Sequence, residues 1–466
     1  MFLAAEESSC QLPKEMWGIW YHNREGKIEI TNQSITHKGN CMGVTYLGSM
    51  AMYLFHGKTR AEECWKYLYI VQHHRNVIQY KQGPCNRIKN AAKTTQISGD
   101  AEFNTLFRAS AKAEPCPVQG PLNFSYSDSK GHCRTNPSTA DKCASSSEIR
   151  FQFESCPEIY GSNTRIQEFQ CFGSWKINNK KYFAARLNNS AFEESKKFRC
   201  FMYETPKSDG TGGKIAISLE SSCRAMNSID SSEATKIQYN ISSYPHHNCE
   251  HGFTSWLRHF PHNSNALKQW ESLSKEPEET HSIFRNHWIV QDSFTNRNLS
   301  ISTCINASYM GRTQTFTVFK IEGCNSGYQC IKVYKRTSDI IEILEGKMAP
   351  TALEACGLEY FDPTIQTFQT LLVKDSAEKE CPKQGRYTIN GCAEADATVS
   401  IGCTKNHQFV VNLDCDVDRR VTYNCHGSWT ERGVTYLVLK EQTTGRRLCY
   451  AENAVLQLLH YLRPQN

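Results

Sequence analysis

Cys171-Phe-Gly-Ser-Trp175 returns later in the chain as Cys425-His-Gly-Ser-Trp429, and the sequence around the two copies decides how the protein is organised. Each pentapeptide lies in a block of six cysteines. The first block opens at Cys116-Pro-Val-Gln-Gly120 and holds Cys133, Cys143, Cys156, Cys171 and Cys200; the second opens at Cys381-Pro-Lys-Gln-Gly385 and holds Cys392, Cys403, Cys415, Cys425 and Cys449. The sixth cysteines lie in Arg199-Cys200-Phe-Met-Tyr-Glu204 and Leu448-Cys449-Tyr-Ala-Glu452. A repeat of this kind sets the module count before any local structure is read.

Working outward, a weaker repeat precedes each block. Cys10 stands seven residues before Trp17, and Cys249 seven before Trp256. Cys41 begins C-x4-Y-L-G with Tyr46 and Gly48, and Cys304 begins C-x4-Y-M-G with Tyr309 and Gly311. Cys64-Trp-Lys-Tyr-Leu-Tyr69 is similar to Cys330-Ile-Lys-Val-Tyr334; Gly83 with Cys85, and Gly346 with Cys356, close the two units. The expected order is a tryptophan module (10–110), a six-cysteine module (111–205), a connector (206–248), a second tryptophan module with an insertion (249–370) and a second six-cysteine module (375–462). Cys223 and Cys324 fall outside the pattern and are left to pair with each other or across modules.

Short alternations of apolar and polar residues predict strands: Ile149-Arg-Phe-Gln-Phe153, Gln408-Phe-Val-Val-Asn-Leu413 and Val434-Thr-Tyr-Leu-Val-Leu439, bounded by turn residues. Long helical periods are scarce. The expected fold is mainly β: four small disulfide-bridged antiparallel modules, sandwich or barrel-like, in a duplicated two-module arrangement. Six cysteines allow 15 pairings, so connectivity stays open.

The chain has 22 cysteines and lacks the close C-x2-C pairs of structural zinc sites. Disulfides in an oxidising compartment are therefore expected, which places the protein outside the cell, secreted or as a surface ectodomain. Sequons at Asn32, Asn123, Asn188, Asn240, Asn298 and Asn306 are compatible with that location. A formal net charge of +6 and a pI near 8.3 are too modest for a dedicated nucleic-acid binder, and nucleic acid is not expected as a partner. No run of about 20 apolar residues predicts a transmembrane helix in this chain.

Gly18-Ile-Trp20-Tyr21 resembles the G-x-W-Y opening of lipocalins, in which a first-strand tryptophan closes the base of an up-and-down barrel around a small apolar ligand. In the second copy the corresponding stretch is sought at Trp256 or Trp288. Independently of that resemblance, Trp17, Trp20 and Tyr21 are expected to fill a β core, and Trp175 and Trp429 to follow turns into cores. Over nearly the whole chain, the alternating modules with their C-P-x-Q-G and C-x-G-S-W signatures resemble a family of uncharacterised animal extracellular proteins with four cysteine-rich domains of unknown function. That resemblance implies an ectodomain, sometimes membrane-anchored, and transfers no catalytic residues.

No G-x-S-x-G, H-E-x-x-H or nucleotide-binding glycine loop is present, so no catalytic, metal or cofactor residue is nominated and an extracellular hydrolase is the least favoured reading. The cluster His246-His247-Asn-Cys249-Glu250-His251 reads as a bridged cysteine beside linker histidines, and Asp414, Asp416 and Asp418 as a charged loop. The expected function is noncatalytic binding or adhesion to an extracellular protein or glycan through loops. The alternative is a carrier of a small hydrophobic ligand, which requires an apolar cavity of about 300 Å³ or more.

Overall fold

The period-two alternation folds as the sequence predicts, into strands with one buried face. The computed structural model describes residues 10–47, 50–59, 62–89, 97–99, 101–204, 212–224, 226–243, 249, 252–253, 268–273, 279–284, 286–311, 313–389, 397–413 and 419–451. The chain divides into two compact units, Met1–Tyr244 and Pro245–Asn466. No helix among the described residues is long and apolar enough to cross a membrane.

The first unit begins with a closed antiparallel barrel of β1 (Gly18–His22), β2 (Gly26–Ile30), β3 (Ser34–Ile35), β4 (Gly39–Leu47), β5 (Met50–Thr59), β6 (Glu62–His74), β7 (Val77–Gln82) and β8 (Asn104–Arg108). Pairing of Tyr21 with Phe107 joins β1 to β8 and closes it. A second closed barrel follows: β9 (Leu122–Asp128), β10 (Gly131–Lys142), β11 (Glu148–Phe153), β12 (Arg165–Ile177), β13 (Lys180–Leu187), β14 (Phe198–Tyr203), β15 (Gly212–Ser218) and β16 (Ala234–Ile241). Residues 206–248 are therefore not a connector. Their two described strands complete this barrel, and β16 closes it on β9 through Tyr239 and Phe124. Its lumen is solid with aromatic rings, among them Phe151, Phe153, Phe169, Phe183 and Phe201, each at most 1% exposed.

The second unit has a third closed barrel of β17 (Lys268–Ser272), β18 (Glu279–Phe284), β19 (His287–Asp292), β20 (Asn298–Met310), β21 (Thr313–Glu322), β22 (Asn325–Lys335), β23 (Ile340–Glu345) and β24 (Gln369–Val373). It ends in a six-stranded sheet, β25 (Gly385–Ile389), β26 (Ala397–Ile401), β27 (Gln408–Leu413), β28 (Arg419–Glu431), β29 (Val434–Glu441) and β30 (Arg447–Ala451), in sequential order.

The disulfides show that the tryptophan and six-cysteine modules share one plan. In every module a cysteine ahead of the first strand bridges to the fourth strand: Cys10–Cys41, Cys116–Cys171, Cys249–Cys304 and Cys381–Cys425. A β-bulge follows each fourth-strand cysteine, between Cys41 and Gly43, Cys171 and Gly173, Cys304 and Asn306, and Cys425 and Gly427. In the three barrels, a sixth-strand cysteine bridges to the segment between the seventh and eighth strands: Cys64–Cys85, Cys200–Cys223 and Cys330–Cys356. Cys223 thus pairs with Cys200 and not with Cys324. Cys133 bridges Cys156, and Cys143 and Cys324 are also disulfide-bonded. Cys403 and Cys449 are free, while Cys392 and Cys415 lie outside the described residues.

The sequence match of Cys64 to Cys330 is three residues out of structural register. The Gly83 amide bonds the Tyr67 carbonyl, whereas the Gly346 amide bonds that of Cys330. The counterpart of Trp20 also differs from expectation. Trp20 pairs across to Arg108 on β8, and Trp270 pairs to Val373 on β24; both tryptophans are fully buried. Trp270 therefore fills the place sought at Trp256 or Trp288; Trp256 lies outside the described residues. Trp17 is not core: it is 37% exposed, its indole donating to the Leu12 carbonyl at 2.9 Å.

Within each unit the modules dock side by side, and the C-x-G-S-W signature does the docking. Trp175 and Trp429 follow a mid-strand bulge, not a turn, and face the neighbouring module, not their own lumen. In the first unit Phe107 stacks on Phe198 at 5.0 Å, Trp175 stacks on Tyr182 at 5.6 Å and His73 at 6.0 Å, and the Asn76 side chain donates to the Phe172 carbonyl. In the second, Ile340 and Leu372 pack on Trp429 and Val438, and Trp429 stacks on Tyr436 at 5.0 Å. The seam positions correspond, because Val77 pairs Phe107 across β7 and β8 as Ile340 pairs Leu372 across β23 and β24. The glycine permits the approach: a Cβ at Gly173 would lie 2.5 Å from the His74 ring, and one at Gly427 would lie 2.9 Å from Ile340 Cδ1.

Candidate functional site

The lumen of the first barrel is closed at both ends. At the base the Trp20 indole donates to the Met16 carbonyl at 2.8 Å, and the Arg108 guanidinium lies 4.2 Å from the centre of its ring. Arg108 also donates to the carbonyls of Trp17 and Arg75, both at 2.8 Å, and to that of Glu15. At the other end Lys38, with only 4% of its side chain exposed, donates to Glu25 at 2.6 Å and to Gln82 at 3.2 Å and lies over the Tyr80 ring. Burial, with Lys38 adding to it, lowers the Lys66 ammonium below its ordinary range. Burial likewise raises the Tyr80 phenol and lowers the His22 imidazole.

Between these ends, Ile28, Ile30, Ile35, Leu68, Ile70, Ile78 and Leu106 surround a cavity of about 10 Å³. That is room for about one water, far below the volume a carrier needs. The lumen therefore gives no support to the carrier alternative.

An ordered loop of the third barrel presents more surface suited to recognition. It runs from Gly346 to Phe368, between β23 and β24, where the chain leaves the two-residue alternation. Cys330–Cys356 pins it to β22, and Tyr328 and Ala349 exchange backbone hydrogen bonds at 2.9 and 2.7 Å. Lys347 donates its amide to the Tyr360 carbonyl at 2.7 Å, and Phe361 to that of Gly357 at 2.8 Å. Ala349, Ala355 and Phe361 are buried and anchor it, Phe361 against Leu344 and Cys330. From this fixed base Leu353, Leu358 and Ile365 stand 96%, 81% and 79% exposed.

Single exposed aliphatic side chains are ordinary, but this one anchored loop holds three of them in solvent. The same loop carries acidic groups. Glu354 accepts from the Thr351 hydroxyl at 2.8 Å, and hydrogen bonds from Thr364 hold the Asp362 carboxyl below the usual carboxylate range. Glu359, followed by burial and Glu354, raises the Tyr360 phenol. The loop thus carries three exposed apolar side chains, with Glu354, Glu359 and Asp362 interleaved among them in sequence.

The chain carries three domains of unknown function. Residues 8–99 match Domain of unknown function (DUF7044), residues 112–239 match Domain of unknown function (DUF7042), and residues 258–370 match Domain of unknown function (DUF7043). The arrangement is that of an uncharacterised multidomain family. No curated protein matches the chain. The DUF7044 match spans β1 to β7, and the DUF7043 match contains the whole exposed loop.

The other sequence-level candidates scatter over the surface. Asn32, Asn123, Asn188, Asn240 and Asn306 are exposed. Asn298 is half-buried and accepts from Gln291 at 2.9 Å. Cys249 is bridged, so it offers no thiolate; His246, His247, His251 and Asp414 to Asp418 lie outside the described residues. Cys133, Cys156 and Glu158 meet closely enough to hold an ion, but both sulfurs are spent in one disulfide. The sequence reading missed Leu353, Leu358 and Ile365. The signal available was length, since loops of this size inside a compact domain are usually functional.

Proposed function

We propose that the protein is a noncatalytic extracellular recognition glycoprotein and that the DUF7043 loop from Gly346 to Phe368 is its contact surface. The observation that carries this reading is the near-complete exposure of Leu353, Leu358 and Ile365 on a disulfide-pinned, hydrogen-bonded loop. A preordered loop binds with little further loss of chain entropy, so apolar side chains held outward contribute most of their burial to affinity. The bridges, and sequons on accessible asparagines, support a location outside the cell. The docked module pairs supply a rigid support for the loop.

The test is saturable binding of the fluorescently labelled chain to cells of the source tissue. Leu353→Asp, Leu358→Asp and Ile365→Asp together remove solvent-exposed side chains, so melting of the variant stays close to wild type. Loss of central anchors costs at least about 2 kcal/mol, so binding falls at least tenfold. Unchanged binding by the triple variant would refute the assignment of the loop, and no saturable binding by the wild type would refute the recognition role.

A further inference from the structure

The two module seams carry the same hydrogen-bond relay in different chemistry. Tyr334 pairs with Glu342 across β22 and β23 as Val71 pairs with Gln79 across β6 and β7, and Ile341 pairs with Leu371 as Ile78 pairs with Leu106. His73, Gln79 and Thr105 therefore stand where Arg336, Glu342 and Thr370 stand in the second unit. There the Arg336 guanidinium donates to Glu342 at 2.6 Å and lies 5.9 Å from the centre of the Trp429 ring, and the Thr370 hydroxyl donates to Glu342 at 3.3 Å. In the first unit His73 Nε2 donates to Gln79 Oε1 at 2.8 Å, and the imidazole stacks on Trp175 at 6.0 Å. Gln79 donates in turn to the Thr105 hydroxyl at 3.4 Å, which accepts the Cys223 amide of the second barrel at 3.0 Å. The permanent cation of one seam has a carboxylate as its partner; the imidazole of the other has a neutral amide.

A charge on His73 would have no counterion in the relay. Gln79 of β7 and Trp175 of β12 face it, and burial, opposed by the weaker effect of the Gln79 bond, holds the imidazole below its ordinary range. His74 is confined more tightly. Its Nδ1 accepts the Asn76 amide at 3.3 Å, its Nε2 meets Glu114 of the segment leading into the second barrel at 3.4 Å, and its ring lies against Gly173 of β12. Burial lowers this imidazole too, outweighing Glu114, which favours the charge, while Arg75 opposes it. A second proton on His74 goes to Nδ1, where the Asn76 amide already points its own hydrogen. The Asn76 side chain holds the Phe172 carbonyl across the seam at 2.7 Å, so that repulsion acts on an interbarrel hydrogen bond. The contrast lies in the relay and not in the whole seam, because the fourth module has a buried imidazole of its own in His426, bonded to Ser376 at 2.9 Å and lowered by burial.

We propose that the seam between the first two barrels is an acid-released catch, closed while His73 and His74 are neutral and opened by their protonation with both barrels still folded. This goes beyond the recognition role of the DUF7043 loop and does not depend on it. The docked surfaces exclude protons that the separated ones accept. Docking is therefore strongest above the ordinary imidazole value of about 6.5 and weakens as pH falls below it. Each barrel has its own closed sheet, packed lumen and disulfides, so separation breaks no strand pairing. What it uncovers is apolar: Phe107 from the first barrel, and Phe172 and Phe198 from the second.

Hydroxyl-radical footprinting of the full chain, read residue by residue by mass spectrometry, follows the seam rings Phe107, Phe172 and Phe198 against the lumen rings Phe55 and Phe151. Between about pH 7.5 and about pH 5.5, labelling of the seam rings rises at least about threefold while the lumen rings stay protected. His73→Gln keeps a neutral side chain beside Gln79 and removes the titration; Gln79→Glu leaves the imidazole and supplies the missing carboxylate. Both variants keep the seam closed at neutral pH and shrink the acid response. Seam rings unchanged at the acid pH, seam and lumen rings labelled together, or an acid response as large as that of wild type in both variants would each overturn the proposal.

Discussion

Phe107→Ala tests whether the docked seam, and not only the two lumens, makes the first unit cooperate. Phe107 is fully buried, stacked on Phe198 at 5.0 Å and meeting Phe172 edge-on at 6.0 Å. Removing a buried phenylalanine ring costs about 3–5 kcal/mol, of which each lost aromatic pair accounts for about 0.5–1.5 kcal/mol. The loss falls on contacts made between barrels, so the variant should uncouple them as well as weaken the unit. Phe183→Ala is the matched control. It removes a fully buried ring of the second lumen, stacked on Phe201 at 4.3 Å, at a similar cost but with the seam intact. Hydrogen exchange followed by mass spectrometry across a urea series on the full chain reads the two barrels separately. In wild type and Phe183→Ala, peptides from β6–β8 and β11–β13 open together; in Phe107→Ala the first barrel opens at lower urea than the second. The reasoning fails if Phe107→Ala shifts both sets equally, or shifts them by less than about 1 kcal/mol.

Lys38→Met strands the partly buried Glu25 carboxylate and should destabilise the first barrel by about 2–3 kcal/mol, discounted for the exposure Glu25 retains; adding Glu25→Gln should restore part of it in urea titrations. Burial depresses His22, His73 and His74, so below about pH 6.5 the unfolded chain binds protons before the folded one does. Stability of the first unit therefore falls as pH drops from 7 to 5. Asp141, raised by burial, acts in the opposite sense only at lower pH, and flat melting temperatures over that window would contradict the assignment. Expressed through a secretory pathway, the five exposed sequons should carry glycan at higher occupancy than Asn298, whose side chain is engaged by Gln291; site-by-site peptide mapping checks this.

What the sequence made legible was what local periodicity and matched cysteine blocks encode: β class, duplication and a bridged framework. That all four modules share one plan was hidden by loop length. The equivalent bridges from the leading cysteine to the fourth strand span 31, 55, 55 and 44 residues, so spacing separates what topology unites. Trp256 shares its seven-residue offset with Trp17 by coincidence, because the eleven extra residues between Cys249 and Trp270 displace the true counterpart of Trp20. The role of Trp175 and Trp429 was also beyond local reading, since a tryptophan after a bulge looks the same whether it turns inward or meets another barrel. Lys38 is the extreme case: one lysine, buried because Glu25 of the β1–β2 turn and Gln82 at the end of β7 meet it.

The fourth-strand bulge explains why the duplicated object is a pair of modules. In the second and fourth modules the bulge carries Gly173 and Gly427, which admit the neighbour's side chain where any Cβ would collide. A six-cysteine module is thus shaped to sit on a tryptophan module, and copying the two together keeps the fit. The seams then diverged in chemistry. The first sets His73 and His74 against Trp175 and Glu114, while the second sets Ile340 against Gly427 and ties Arg336 to Glu342 at 2.6 Å and to Glu431 at 2.8 Å. Exchanging partners would put the His74 ring against a surface shaped for Ile340 and leave Arg336 without Glu431. The mismatch disfavours crossed pairs and keeps each tryptophan module with the six-cysteine module that follows it.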